Sequence, residues 1–233
     1  EDAPPNRLER SKMFSPTVIE RLTCNRIGLI FFAGNAFLQS PVTTDYAALI
    51  NLYLKSANPD MASNQGTEMA EVVDLAERYF EEESRNHKAL IIISDGENHD
   101  SEAVQRVQQA HANGLLVYTV GVGTPEGSFI PVFVGGRLDY KRDDSGNPVR
   151  SALNETMLQE LAETGGGAYF NLDAGSRQVI AALQQDIDRI DKREMEQRIF
   201  DEYESYFQYF IAGGLLLLFL EFGIPYRQGR FRP

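Results

Sequence analysis

At 233 residues, with 42% hydrophobic and 24% charged residues, the chain can bury one substantial core plus a short appendage, and its composition excludes disordered and collagen-like chains. A net charge of -12 and a pI near 4.7 repel polyphosphate and leave no basic stripe to release counterions, so nucleic acid is excluded as a partner. The single cysteine, Cys24, can form neither an internal disulfide nor a C-x-x-C motif and reads as a small buried hydrophobe.

In chain order, the sequence opens at Glu1 without an initiator Met or the apolar stretch of a signal peptide, so it reads as an internal piece of a longer chain. Leu8 to Leu22 is helical in pattern, but Ser15-Pro16 should kink or restart that helix. Four short runs are strand-like: Arg26 to Ala33, Ala89 to Ser94, Leu115 to Val122 and Ala168 to Leu172. Three are apolar throughout, as expected of parallel strands covered on both faces. Between them, Asp45 to Ala57, Thr67 to Ser84, Ser101 to Asn113 and Asn154 to Thr164 are helical; Asp100 or Ser101 can cap the third, and Asn113-Gly114 can stop it. This alternation predicts a doubly wound α/β domain with a mostly parallel sheet. Residues 124–150, rich in Gly, Asn and Pro turn signals, read as a hairpin insertion.

Beyond Ser176, apolar residues at Val179, Ile180, Leu183, Ile187 and Ile190 keep helical spacing and give way to charge, so the main domain is expected over 1–190 and a helical stalk over 191–206. Phe207 to Ile224 is then nearly continuous apolar sequence, roughly 27 Å as a helix against a hydrocarbon core of about 30 Å, and reads as a transmembrane span. Tyr203, Tyr206 and Tyr209 on one side and Tyr226 on the other resemble interfacial aromatic belts. Arg227, Arg230 and Arg232 make the tail 225–233 cytoplasmic by the positive-inside rule, which puts the large domain on the other side of the membrane. Glu221 is costly in lipid and belongs near headgroups or against a partner helix; a buried core helix is the alternative reading of the run.

Open parallel sheets bind ligands at the carboxyl ends of their strands, and that rule selects Ser94, Asp95 and Gly96. A second candidate is the Asn64–Thr67 loop, which delivers the Thr67 hydroxyl to a helix start. An Asp carboxylate and a Thr hydroxyl at one rim are hard oxygen ligands suited to Mg²⁺, Ca²⁺ or Mn²⁺. Two ligands do not make a site, and each residue alone also fits an ordinary turn or cap. Glu97 and Asp100 add acidity to this rim. His87, His99 and His111 form no zinc signature, and His111 reads as a satisfied, partly buried histidine. No G-x-S-x-G elbow accompanies His99, and Gly165-Gly166-Gly167 follows a helix and precedes a strand, the reverse of a phosphate loop. Binding, not catalysis, is the expectation.

Taken together, RIGLIFFAGNAFLQSPVTTDYAA, QGTEMAEVV, ALIIISDGENHD, VYTVGVGTPEGSFIPV and LAETGGGAYF resemble the von Willebrand factor A (VWA) domains of the bacterial Bat (aerotolerance) membrane proteins, the BatB-like members in particular. The resemblance implies a Rossmann-like α/β fold and a metal-ion-dependent adhesion site, with Thr67 and Asp95 matching the family's Thr and Asp. It also implies a divalent cation, Mg²⁺ first and Ca²⁺ or Mn²⁺ as alternatives. The family's D-x-S-x-S loop and first strand have no counterpart here; in the family they lie just upstream of the position of Glu1. Bat-like subunits and, indirectly, a MoxR-type AAA+ ATPase are the partners so implied, with the VWA domain periplasmic on a bacterial inner membrane. The alternative is a metal-free assembly subunit in which Thr67 and Asp95 only serve the fold.

Overall fold

The computed structural model describes residues 3, 5–22, 25–58, 69–81, 88–97, 101–134, 137–143, 145–201 and 207–223. Thr67, Cys24, His87, His99, Asp100 and the tail 225–233 lie outside these residues. The chain divides into two compact units, Glu1–Asp188 and Arg189–Pro233.

The first unit begins with α1, Arg7–Arg21, started by Asn6, whose side chain accepts the Glu9 amide at 2.8 Å. The helix runs through Pro16 instead of restarting there. Strands β1, Ile27–Ala33, and β2, Asn35–Thr43, form an antiparallel hairpin stiffened by an edge-on pair, Phe31 and Phe37, with ring centroids 6.0 Å apart. β2 escapes sequence patterning because Ser40-Pro41 interrupts it; proline removes a ladder donor and is tolerated only at an edge. The helix expected over 45–57 forms, but irregularly: a turn of α-helix, α2 (Tyr46–Ala48), widens to a π-turn over Leu49–Tyr53 and tightens to a 3₁₀ turn over Leu54–Ser56.

Then follow α3, Met69–Glu81; β3, Lys88–Ser94; α4, Ser101–Ala112; and β4, Leu115–Gly121. Four short strands, β5 (Ser128–Phe129), β6 (Pro131–Val134), β7 (Arg137–Tyr140) and β8 (Arg150–Ser151), pair antiparallel as β5–β8 and β6–β7 within the stretch expected to be a hairpin insertion. Helix α5, Glu155–Thr164, leads to β9, Gly166–Asn171, and α6 spans Ser176–Asp201.

β3, β4 and β9 form a parallel sheet in that order, with β4 central. Because side chains alternate across a strand, Leu115, Val117 and Thr119 meet one helical layer while Tyr118 and Val120 meet the other; all are buried. On the first side Met69 and Val73 of α3, Ala103, Val107 and Ala110 of α4, and Met157, Leu158 and Leu161 of α5 close the core. These are the i, i+3, i+4 positions of each helix. On the second side Tyr118 lies near enough to Asp186 of α6 that, after burial itself, this charge helps raise its pKa. Parallel strands with helices on both faces are the doubly wound arrangement the alternation predicts. The β1–β2 hairpin is a separate two-stranded sheet: it packs against α3, and Glu71 accepts the Ala36 amide at 2.7 Å, but it shares no ladder with β3 among the described residues.

Thr119 is the buried polar exception on β4, and its hydroxyl donates to the Leu158 carbonyl of α5 at 2.8 Å. Thr119→Val is expected to cost about 1 kcal/mol, the net worth of such a bond, seen as a lower urea midpoint at unchanged slope. An unchanged midpoint would show that the hydroxyl contributes nothing.

In the second unit α7, Phe207–Gly223, is 17 residues long and about 26 Å by its rise. No helix among the described residues is long and apolar enough to cross a membrane. Yet α7 holds its apolar side chains in the open: Phe210 is 82% and Leu217 68% exposed.

Candidate functional site

The carboxyl ends of β3, β4 and β9 are built from short connections. Beyond β3, Gly96 takes φ +66, and a Cβ there would come within 2.9 Å of the Asn154 carbonyl oxygen and of Leu158, so only glycine makes this turn comfortably. The turn is fixed by the Gly96 amide donating to Ser94 Oγ at 3.1 Å and the Asn154 amide donating to the Asp95 carbonyl at 2.8 Å. Asn154 also caps α5 by accepting the Met157 amide. Asp95 is thereby held at the rim, 30% exposed, where the strand-end rule places it.

Arg7, in the first turn of α1, reaches this carboxylate. Its Nη1 donates to Asp95 Oδ2 at 2.9 Å and to Ser151 Oγ, and its Nη2 donates to the Ser151 carbonyl at 2.9 Å. Glu97 Oε1 stands 3.8 Å from the same Nη1 and accepts the Ala152 amide at 2.8 Å. One guanidinium therefore joins α1, the turn after β3 and the exit of the insertion. Its planar fork of donors makes this possible, and the bond to Asp95 joins two opposite charges. One turn further along α1, Arg10 pairs with Asp173 at 2.5 Å and approaches the Leu172 carbonyl at 3.5 Å, beyond the end of β9. The two arginines lash the start of α1 across the ends of the parallel strands.

A second carboxylate lies at the β9 side. Glu155, in the first turn of α5, accepts from Tyr169 Oη at 2.9 Å and Asn171 Nδ2 at 2.6 Å. Burial first, and then the bond to Glu155, push the Tyr169 pKa well above that of a free phenol, so this hydroxyl stays a donor.

Asp95 thus stands where the sequence predicts, and Gly96 makes the expected turn. Thr67 lies outside the described residues, so the structure neither joins it to Asp95 nor parts it from it. His111 is satisfied as expected, with Nδ1 3.2 Å from the Leu115 carbonyl oxygen, but it is exposed instead of partly buried. Arg7, Ser151 and Glu155 are additions. Nothing local marks Arg7, whose partners lie 88 and 144 residues away. Among the described residues no group of three or more His, Cys, Asp or Glu is placed to hold a metal ion. Asp95 by itself has the chemistry of a hard-cation ligand, and in this structure its carboxylate faces the Arg7 guanidinium.

Parallel strands under two helical layers, with an aspartate turn at the end of β3, agree with the sequence match: the family profile for the von Willebrand factor type A domain covers residues 2–186. The chain belongs to the VWA family. Its structure is similar to that of BatB from Bacteroides thetaiotaomicron, with 39% identity, a TM-score of 0.75, and coverage of 82% of this chain and 91% of that one. It is also similar to an aerotolerance-related membrane protein from Bacteroides fragilis, with 35% identity, a TM-score of 0.74, and coverage of 81% and 91%. A UPF0353 protein of Mycolicibacterium paratuberculosis is 26% identical over 80% of this chain and 56% of its own length. The chain spans about half the length of the curated relatives it matches.

Proposed function

We propose that this VWA domain is a membrane-anchored binding module in which Asp95 helps hold a divalent cation, Mg²⁺ in the first instance, that bridges to an acidic group of a partner. The observation that carries this reading is the Asp95 carboxylate, fixed by backbone bonds at the carboxyl end of β3 and directed at a positive charge. The bound cation would supply an open coordination position; the chain's own residues orient Asp95. In a domain of charge -12, a metal bridge suits an acidic partner better than direct pairing does. Thr67 and the D-x-S-x-S loop of the resemblance complete the proposed ligand set.

The similarity to an aerotolerance-related membrane protein and the exposed apolar surface of α7 support anchoring by the run from Phe207 to Ile224. The charge rule orients the anchor with the VWA domain in the periplasm and the tail in the cytoplasm. Partners then are Bat-like membrane subunits, with a cytoplasmic MoxR-type ATPase acting only through them.

One observation favours a second reading, a metal-free assembly subunit: Arg7 already satisfies Asp95. Asp95→Ala and Thr67→Ala separate the two. Crosslinked to neighbours in native membranes with Mg²⁺ or with EDTA, the wild-type chain is expected to lose its partner in EDTA. Each variant is expected to lose it in either condition, a drop of about tenfold or more. Partner yields indifferent to EDTA and to both substitutions would leave the assembly reading standing.

A further inference from the structure

We infer that the start of α1 is a releasable strap: it is fastened over the carboxyl ends of the parallel strands by charge instead of by core packing, and it opens by yielding at Ser15-Pro16. The inference stands on α1 itself and asks for no cation at Asp95.

The fastening comes first. Arg7 and Arg10, three residues apart, share one face of the helix. Arg7 reaches Asp95 beyond β3 and Arg10 reaches Asp173 beyond β9, so the pair spans the end of the strand between them, β4. The two carboxylates are 30% and 32% exposed, which leaves both latches open to screening by salt. Core packing begins only later. The fully buried side chains of α1 are Phe14, Val18 and Ile19, while Leu8 is only partly buried. Ahead of the helix the Ala3 methyl is buried, too small an area to hold the segment by itself. Lys12, whose Nζ donates to the Ala57 carbonyl at 3.2 Å, is again a charged tie. The junction between the two halves is weak. Pro16 lacks the amide that would bond the Lys12 carbonyl, and its ring disfavours the helical conformation of Ser15. The hydroxyls of Ser11 and Ser15 each donate to the carbonyl four residues back, those of Arg7 and Ser11, at 2.9 and 2.7 Å, a bond that loosens and bends helices. The front of α1 can therefore leave while its packed back stays in place. What it uncovers is the carboxyl end of β4, the edge at which open parallel sheets take their ligands, so the strap governs access to the rim.

Amide hydrogen exchange on the full chain in detergent, read by mass spectrometry, tests this. The amides of Arg10 to Phe14 report the strap, and those of Val18 to Arg21 the packed half. Raising NaCl from about 0.02 M to about 0.5 M shortens the screening length from roughly 20 Å to roughly 4 Å. This is expected to speed exchange of the first group about tenfold and to leave the second unchanged. Arg7→Gln with Arg10→Gln is expected to exchange that fast at either salt concentration. Should the double variant not fold, Arg10→Gln alone, which keeps the Asp95 latch, decides by exchanging faster than wild type at low salt. Pro16→Ala restores the missing rung and is expected to slow the first group severalfold. If the two groups exchange together under every condition, α1 opens as one helix and there is no strap. Exchange of the first group unmoved by salt and by the arginine substitutions overturns fastening by charge, and exchange unmoved in Pro16→Ala overturns the hinge.

Discussion

Gly167→Ala is expected to destabilise the domain by about 3 kcal/mol, the upper range for forcing extra volume into a packed core, and to lower its unfolding midpoint accordingly. Gly167 lies in β9, where a Cβ would stand 2.2 Å from the Val117 carbonyl oxygen and 2.8 Å from its carbon. Those atoms are the backbone of the central strand, which cannot rotate aside as a side chain can, so β9 must move away from β4 or β4 must distort. Its neighbours are as tightly held: a Cβ on Gly165 would meet Val117 Cβ at 2.4 Å, and one on Gly166, at φ +67, would meet the His111 ring at 2.4 Å. Gly146→Ala is the informative comparison. Its φ is +83, but a Cβ there meets nothing within 4 Å, so only the left-handed backbone opposes it, at about 1 kcal/mol. Equal losses in the two variants would mean that the strand pair relaxes without cost.

The second large effect concerns the anchor. Leu216→Arg with Leu217→Arg places two guanidiniums at the middle of the apolar run, each costing about 3 kcal/mol on the insertion scale, enough together to reverse membrane partition. The wild-type chain is expected to stay with membranes through alkaline extraction, and the double variant to leave with the soluble fraction. The folded VWA domain, remote in sequence from these positions, supplies the control: its unfolding midpoint should not change. Wild-type chain recovered in the extract would remove the anchoring proposal. The physical ground is the exposure of α7, since water does not tolerate eight large apolar side chains from Phe210 to Leu220 left at half or more of their full exposure unless something covers them.

How much of this was legible in the sequence depended on range. The parallel core was legible because β3 and β4 are apolar without alternation, and because α3, α4 and α5 repeat their buried residues at helical intervals. Asp95 was legible because a carboxylate directly after such a strand and before a glycine has one place to go. Gly165-Gly166-Gly167 lies between a helix and a strand as its order predicts, but the reason for three glycines lies in Val117 and His111, which pattern cannot reach. Pro16 does not restart α1, because the burial of Phe14, Val18 and Ile19 carries the helix onward. β2 hid behind Pro41. Arg7 was illegible altogether, since a helix-start arginine announces nothing until the fold brings Asp95 and Ser151 beside it.

The link that α3 makes between the β1–β2 hairpin and the parallel strands bears on how the domain comes apart. β4 is hydrogen-bonded on both edges and covered on both faces, so its amides can exchange with solvent only when the whole core opens. The hairpin is tied to α3 by packing and by the Glu71 bond, and α3 in turn lays Met69 and Val73 into the core beside Leu115 and Val117 of β4. A change in the hairpin is therefore felt by the parallel strands through α3.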